Sequence, residues 1–179
     1  MPENILEKIL NVKKKKIEIL KKTIRLESII ESINKNKNFL NFKDKIQNNL
    51  DNNKFSIIAE IKKASPSAGV IIKDYDPVEI AKIYASNKST CLSILTEEDF
   101  FLGNLVHISK IKQNVNLPIL CKDFFIDKYQ VPLAKSYGAD AILIILSGVT
   151  ENIANELYEE ALKFDMSIIV EVHTVEEAK

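Results

Sequence analysis

From Phe55 onward, short aliphatic runs alternate with segments of helical period, whereas before Phe55 only the helical period appears. The runs are FSIIAEIK (55–62), CLSILT (91–96), LPILCKD (117–123), DAILIIL (140–146) and SIIVEVH (167–173). Most of their middles are aliphatic without alternation, as expected for strands buried on both faces of a parallel sheet with crossover helices. Helix starts are marked between them. Asp76-Pro77-Val78-Glu79 places an N-cap acid, a proline at the first helical position and a glutamate three residues after the cap. Thr150 opens the helix ENIANELYEEALKF, and Gly138 stops a helix that begins after Asp127. Pro132 fits that last helix badly, because inside it the ring removes a backbone bond and bends the axis.

Residues 3–33 space Ile5, Ile9, Ile17, Leu20, Ile24 and Ile29 among many lysines, which predicts an amphipathic helical arm. Its Lys13–Lys16 run reads as a solvated helix face rather than a nucleic-acid patch. The asparagine-rich stretch 34–54 reads as a connector with room for a short helix. The expected division is therefore an N-terminal helical extension, 1–54, and an α/β unit, 55–179.

Composition narrows the function classes. With 25 basic and 25 acidic side chains, no global field draws the chain to nucleic acid or an anionic membrane. Apolar residues make up 46% and aromatics 7%, a globular aliphatic balance. Cys91 and Cys121 lie in apolar runs with no metal or redox spacing, so they read as reduced core thiols of a cytoplasmic protein. The acidic start MPENILEK has no apolar core of a signal peptide, and no run is long enough to span a membrane.

The informative exceptions to the aliphatic pattern are charges at the carboxyl ends of the runs: Glu60 and Lys62, Lys122, and Glu171 with His173. Glu60 and Lys62 are two apart and share one face of their strand. An unpaired buried charge costs several kcal/mol, so these groups are paired, partly wet, or turned toward a charged ligand. Each alone reads as a solvated strand end; together they fit the rule that sites in parallel α/β folds lie beyond the carboxyl ends of the strands. Lysines beside glutamates suit acid and base work near neutral pH. Ser65 and Ser67 with Gly69 make a turn that can offer hydroxyls and N–H groups to an anion.

An open doubly wound sheet would carry a glycine-rich turn running straight from its first strand into a helix. KKASPSAGVIIKDYDP has one glycine and about a dozen residues before the next cap, so a (β/α) barrel is preferred. Inside a barrel Glu60 and Lys62 face the mouth.

AEIKKASPSAG (59–69), SILTEEDFFLGN (93–104), LPILCKDFFIDKYQV (117–131), YGADAILIIL (137–146) and IIVEVHTVEEA (168–178), in this order, closely resemble the indole-3-glycerol-phosphate synthase family. The N-terminal arm is similar to that family's helical segment ahead of the barrel. The resemblance implies a partial (β/α)8 TIM barrel of about five βα units. It also implies ring closure and decarboxylation of 1-(2-carboxyphenylamino)-1-deoxyribulose 5-phosphate to indole-3-glycerol phosphate, carbon dioxide and water, in tryptophan biosynthesis, with no metal or organic cofactor. By motif, Lys122 would be the general acid and Glu171 the general base for dehydration, with Glu60 placing and polarising the lysines. Lys62 and Ser65 would hold the substrate's anionic groups, and Phe101 would pack on its aromatic ring. The family's later segments, an INxR-type strand, an SES-G strand end and a glycine-rich phosphate loop, are not in the sequence. A complete barrel usually takes about 250 residues. The expectations are a truncated enzyme, a degenerate product, or half of a split enzyme completed by a C-terminal fragment or fusion partner. A non-catalytic remnant binding sugar-phosphate-like anions, and another phosphate-binding barrel such as phosphoribosylanthranilate isomerase, are the rival readings.

Overall fold

The computed structural model describes residues 5–35 and 38–179. The acidic start at residues 1–4, and positions 36 and 37 of the expected connector, lie outside the described residues.

Five parallel strands form one sheet: β1 (Ile58–Ile61), β4 (Cys91–Leu95), β5 (Ile119–Lys122), β6 (Ala141–Ile145) and β7 (Ser167–Glu171). Between β1 and β4 the chain inserts a small antiparallel hairpin, β2 (Ala64–Ser65) and β3 (Gly69–Val70), which the sequence shows only as a turn. The crossovers are α4 (Pro77–Ser86), α5 (Leu105–Lys112), α6 (Gln130–Ser136) and α7 (Glu151–Lys163). Strand order in the sheet equals order in the chain, so there is no switch point at which a doubly wound sheet would reverse. The fold is α/β, and its consecutive units are those of a (β/α) barrel.

The pleat sends Ile61, Leu92, Ile94, Ile119, Cys121, Ile142 and Ile144 outward into a core shared with the crossover helices. Burial pushes the Cys91 and Cys121 thiols up to about 12, as inert core thiols require. Inward, the amino-terminal end of the sheet is closed by α3 (Phe42–Asp51), the short helix inside the expected connector. Its Asn41 cap accepts from the Asp44 N–H, and Phe42, 2% exposed, packs against Cys91, Leu120, Ala141 and Leu143. Ser167 Oγ accepts from the Lys43 N–H, and Asn49 donates to Ser56 and Thr90, so α3 crosses the opening from β7 to β1.

Two sequence expectations are corrected. The helix expected after Asp127 starts only at Gln130, which puts Pro132 in its first turn, where its N–H would have no partner inside the helix. The proline therefore imposes no bend on the axis, and Gly138 ends the helix at φ +103 as its lack of Cβ permits. The arm is two helices, α1 (Ile5–Thr23) and α2 (Leu26–Lys35), and its lysine run is not simply a solvated face. Lys14 and Lys15 are exposed, but Lys13 is buried against Asp123 at 2.6 Å, and Lys16 pairs with Glu98 and Asp99. The arm is thus fastened to the loops that follow β4 and β5. Ile29 and Ile33 of α2 pack on Tyr129 and Leu133, and the Tyr129 hydroxyl donates to the carbonyls of Leu20 and Ile24.

Candidate active site

With α3 packed across the amino-terminal end, the polar side chains of the inner face gather toward the carboxyl ends of the strands. Register brings Glu60 beside Ser93, and Leu95 beside Lys122, so the long polar side chains rise on the same inner face above Ile58, Leu120, Leu143 and Ile169. Glu60, Lys122 and Glu171 line this one trough.

Glu60 is its organising group. One carboxylate oxygen accepts from Lys62 Nζ at 2.6 Å, and the other lies 3.0 Å from Lys122 Nζ. Burial alone would raise its carboxyl, but the hydrogen bonds and charges of Lys62 and Lys122 outweigh that and hold it below the ordinary glutamate range. Two ammonium groups are therefore held within reach of a single anion, with roughly a third of each side chain still exposed.

A lowered carboxyl pKa fixes the sign of a pH effect. The unfolded chain takes up the proton first as pH falls, so stability from this triad is present above about pH 4.3 and lost as pH drops through the lower folded value. Urea midpoints between pH 6 and pH 3 should fall more steeply for the parent than for Glu60→Gln; equal acid slopes would deny Glu60 this role.

Glu171 stands on the far side of the trough, 3.3 Å from His173 Nε2 and 37% exposed at its side chain. It is not joined to the Glu60 cluster by any direct pair among the described residues. Its neighbour His173 is more than half exposed. Ser65 is not among the residues lining the trough: it sits in the β2–β3 hairpin, where its hydroxyl accepts from the Ala68 N–H at 3.2 Å and lies 3.4 Å from Ser67 Oγ. Phe101 lies beyond β4 with its ring tilted at 41° to that of Phe124, centroids 6.1 Å apart.

Sequence reasoning misses Ser93, Glu97 and Gly103. Ser93 is 4% exposed, lines the trough and has no hydrogen-bond partner for its hydroxyl. The signal available is a polar residue interrupting CLSIL at an inward register. Gly103 is required by a close approach: a Cβ there would lie 2.3 Å from the Leu95 carbonyl oxygen and 2.9 Å from that of Glu97. Among the described residues no group of three or more His, Cys, Asp or Glu side chains is placed to hold a metal ion. No helix of the described residues is long and apolar enough to cross a membrane.

Comparison with known proteins adds identity to this geometry. A family model described as "Indole-3-glycerol phosphate synthase" matches residues 6–179. A protein named indole-3-glycerol phosphate synthase from Trichodesmium erythraeum (strain IMS101) is 40% identical over 176 residues, covering 98% of this chain and 59% of the relative. One of the same name from Aliarcobacter butzleri (strain RM4018) is 49% identical over 121 residues, 68% of this chain and 46% of the relative. "Tryptophan biosynthesis protein TrpCF" of Buchnera aphidicola subsp. Schizaphis graminum is 41% identical over 180 residues, covering 100% of this chain and 38% of the relative. The chain thus spans 38 to 59% of the length of these curated relatives.

Proposed function

The chain belongs to the indole-3-glycerol phosphate synthase family, and on that premise we propose that it carries the ring-closing part of that enzyme's active site. The substrate is 1-(2-carboxyphenylamino)-1-deoxyribulose 5-phosphate, and the products are indole-3-glycerol phosphate, carbon dioxide and water. The observation that carries the reading is the Glu60 carboxylate held by Lys62 and Lys122 in the trough that Glu171 also lines.

The chemistry needs two opposite proton movements. When the ring carbon bearing the carboxylate attacks the ketone carbon, charge builds on the ketone oxygen, and Lys122 donates a proton to it. Loss of carbon dioxide follows and restores the aromatic ring; the hydroxyl left at the former ketone carbon then departs as water, taking a proton from an ammonium group of the Glu60 cluster, while Glu171 accepts the proton released by the neighbouring methylene carbon. Glu60 keeps both lysines in place, Lys62 and Ser65 hold anionic groups, and Phe101 packs on the aryl ring. Positioned acid or base groups of this kind contribute typically 10²–10⁴-fold each.

The unpaired edges support a further strand-bearing partner. Phe55, 97% exposed, and Ile57 flank β1, while Val170 and Val172 stand exposed at β7. In a closed barrel each edge pairs with another strand. We place there the remaining strands of the same family barrel, on this polypeptide or on a complementing or fused chain, in the cytoplasm. A non-catalytic remnant is the alternative favoured by the same open edges. Turnover of the ribulose phosphate, followed by indole fluorescence, separates them: the chain, alone or supplied with the rest of a family barrel, forms the indole product, whereas no product under either condition supports the remnant.

A further inference from the structure

We infer that Glu97 is a positioning residue, whose carboxylate sets the Phe101 ring beside Phe124 at the carboxyl ends of β4 and β5 and thereby tunes recognition of the substrate's aryl group. This rests on the proposed function for the identity of the ligand, but not for the geometry.

Glu97 is 1% exposed, yet among the described residues it forms no ion pair. Its carboxylate is satisfied by three successive backbone donors instead: Asp99 N–H at 3.0 Å to one oxygen, and Phe100 N–H at 2.7 Å and Phe101 N–H at 3.0 Å to the other. Its own carbonyl accepts from the Gly103 N–H at 2.7 Å, so both ends of the 97–103 loop are fastened to one residue. Gly103 then wedges against the Leu95 carbonyl, leaving the loop no room to slide toward the sheet. Outside the loop, Lys16 of the arm ties down Glu98 and Asp99. The last of the three donors belongs to Phe101 itself, so the backbone from which the ring hangs is fixed by the buried carboxylate. That ring meets Phe124, two residues after Lys122, and the pair stands at the carboxyl ends of neighbouring strands β4 and β5.

A buried acid needs its three donors, and they need it: hydrogen bonds to a charged acceptor are about twice as strong as neutral ones, and an N–H left without its partner is destabilising. Glutamine in its place keeps the shape but offers one acceptor oxygen where two are used. The loop is the expected casualty, because the strand beneath is held by its own ladder.

The test uses the full chain labelled with 4-fluorophenylalanine, the resonances of positions 101 and 124 being assigned with Phe101→Leu and Phe124→Leu. In Glu97→Gln the fluorine signal of position 101 should shift and broaden while the signal from Phe42, deep under the sheet, stays put. The same samples are titrated with anthranilate, read by its own fluorescence, and with inorganic phosphate. Glu97→Gln and Phe101→Leu should each weaken anthranilate by about tenfold, with no further loss in the double variant, and leave phosphate affinity unchanged. An unchanged position-101 signal, or equal losses for anthranilate and phosphate, overturns the positioning role. If the fluorine signal moves as expected but even the parent does not bind anthranilate, Glu97 keeps its role as the setter of Phe101 and the aryl-substrate reading fails.

Discussion

If the proposed function holds, Lys122→Met should slow indole-3-glycerol phosphate formation by the completed family barrel by about a hundredfold or more, with little change in stability. Methionine retains most of the stem that Lys122 lays along the inner face but has no proton to give. The pair with Glu60 is 3.0 Å long between side chains that are 36% and 30% exposed, a half-wet geometry in which an ion pair contributes about 0–1 kcal/mol. Lys62 remains on the other carboxylate oxygen and keeps Glu60 in place. Stability and rate should therefore separate cleanly, and single-turnover rates beside urea midpoints measure both. A rate within about threefold of the parent would remove Lys122 from the role of acid.

The opposite separation is expected at Asp140. Its side chain has 0% exposure and accepts from the Leu40 N–H at 2.7 Å, the Ile119 N–H at 2.8 Å and the Lys112 ammonium, itself only 8% exposed. One carboxylate thereby joins the connector ahead of α3, helix α5, strand β5 and strand β6, all at the end of the sheet away from the trough. Asp140→Ala strands a buried ammonium and two backbone donors, and should cost about 3–5 kcal/mol in urea unfolding. The double variant Asp140→Leu with Lys112→Met, which leaves no uncompensated charge, should recover most of that loss. A cost under 1 kcal/mol for the single substitution would mean that this end of the fold is held by Phe42 and its apolar neighbours alone.

These two residues mark what can and cannot be read from the chain. Lys122 is legible because parallel strands are buried on both faces, so a lysine after PILC breaks a pattern that has few other reasons to break. The same reasoning finds Glu60 and Glu171, and the long turn after Glu60 points to a barrel without knowledge of strand order. Asp140 escapes notice because an aspartate ahead of AILII also reads as an ordinary strand start; its partners come from three other elements. Lys13 is misread for a related reason, since nothing around KKKK distinguishes the lysine that meets Asp123 from those that meet water. Pro132 reads as a helix breaker only while the helix boundary is set too early. Glu97 and Gly103 act through backbone N–H groups and close carbonyl contacts, which leave no periodic trace. The motif around Ser65 directs it toward the substrate; within the hairpin its oxygen accepts from the Ala68 N–H, which leaves its O–H available to donate to an anion.

The central claim is that ammonium and carboxylate groups from separate strands serve one bound anion at the carboxyl ends of the sheet. Its most direct test is a crystal structure with the substrate analogue whose ketone is reduced to an alcohol, so that binding occurs without ring closure. The account predicts one molecule in the trough, its alcohol oxygen within hydrogen-bond distance of Lys122, an anionic group on Lys62 and its reacting carbons between Lys122 and Glu171. An analogue bound outside the trough, or one that touches Lys62 while Lys122 and Glu171 remain out of reach, would contradict it.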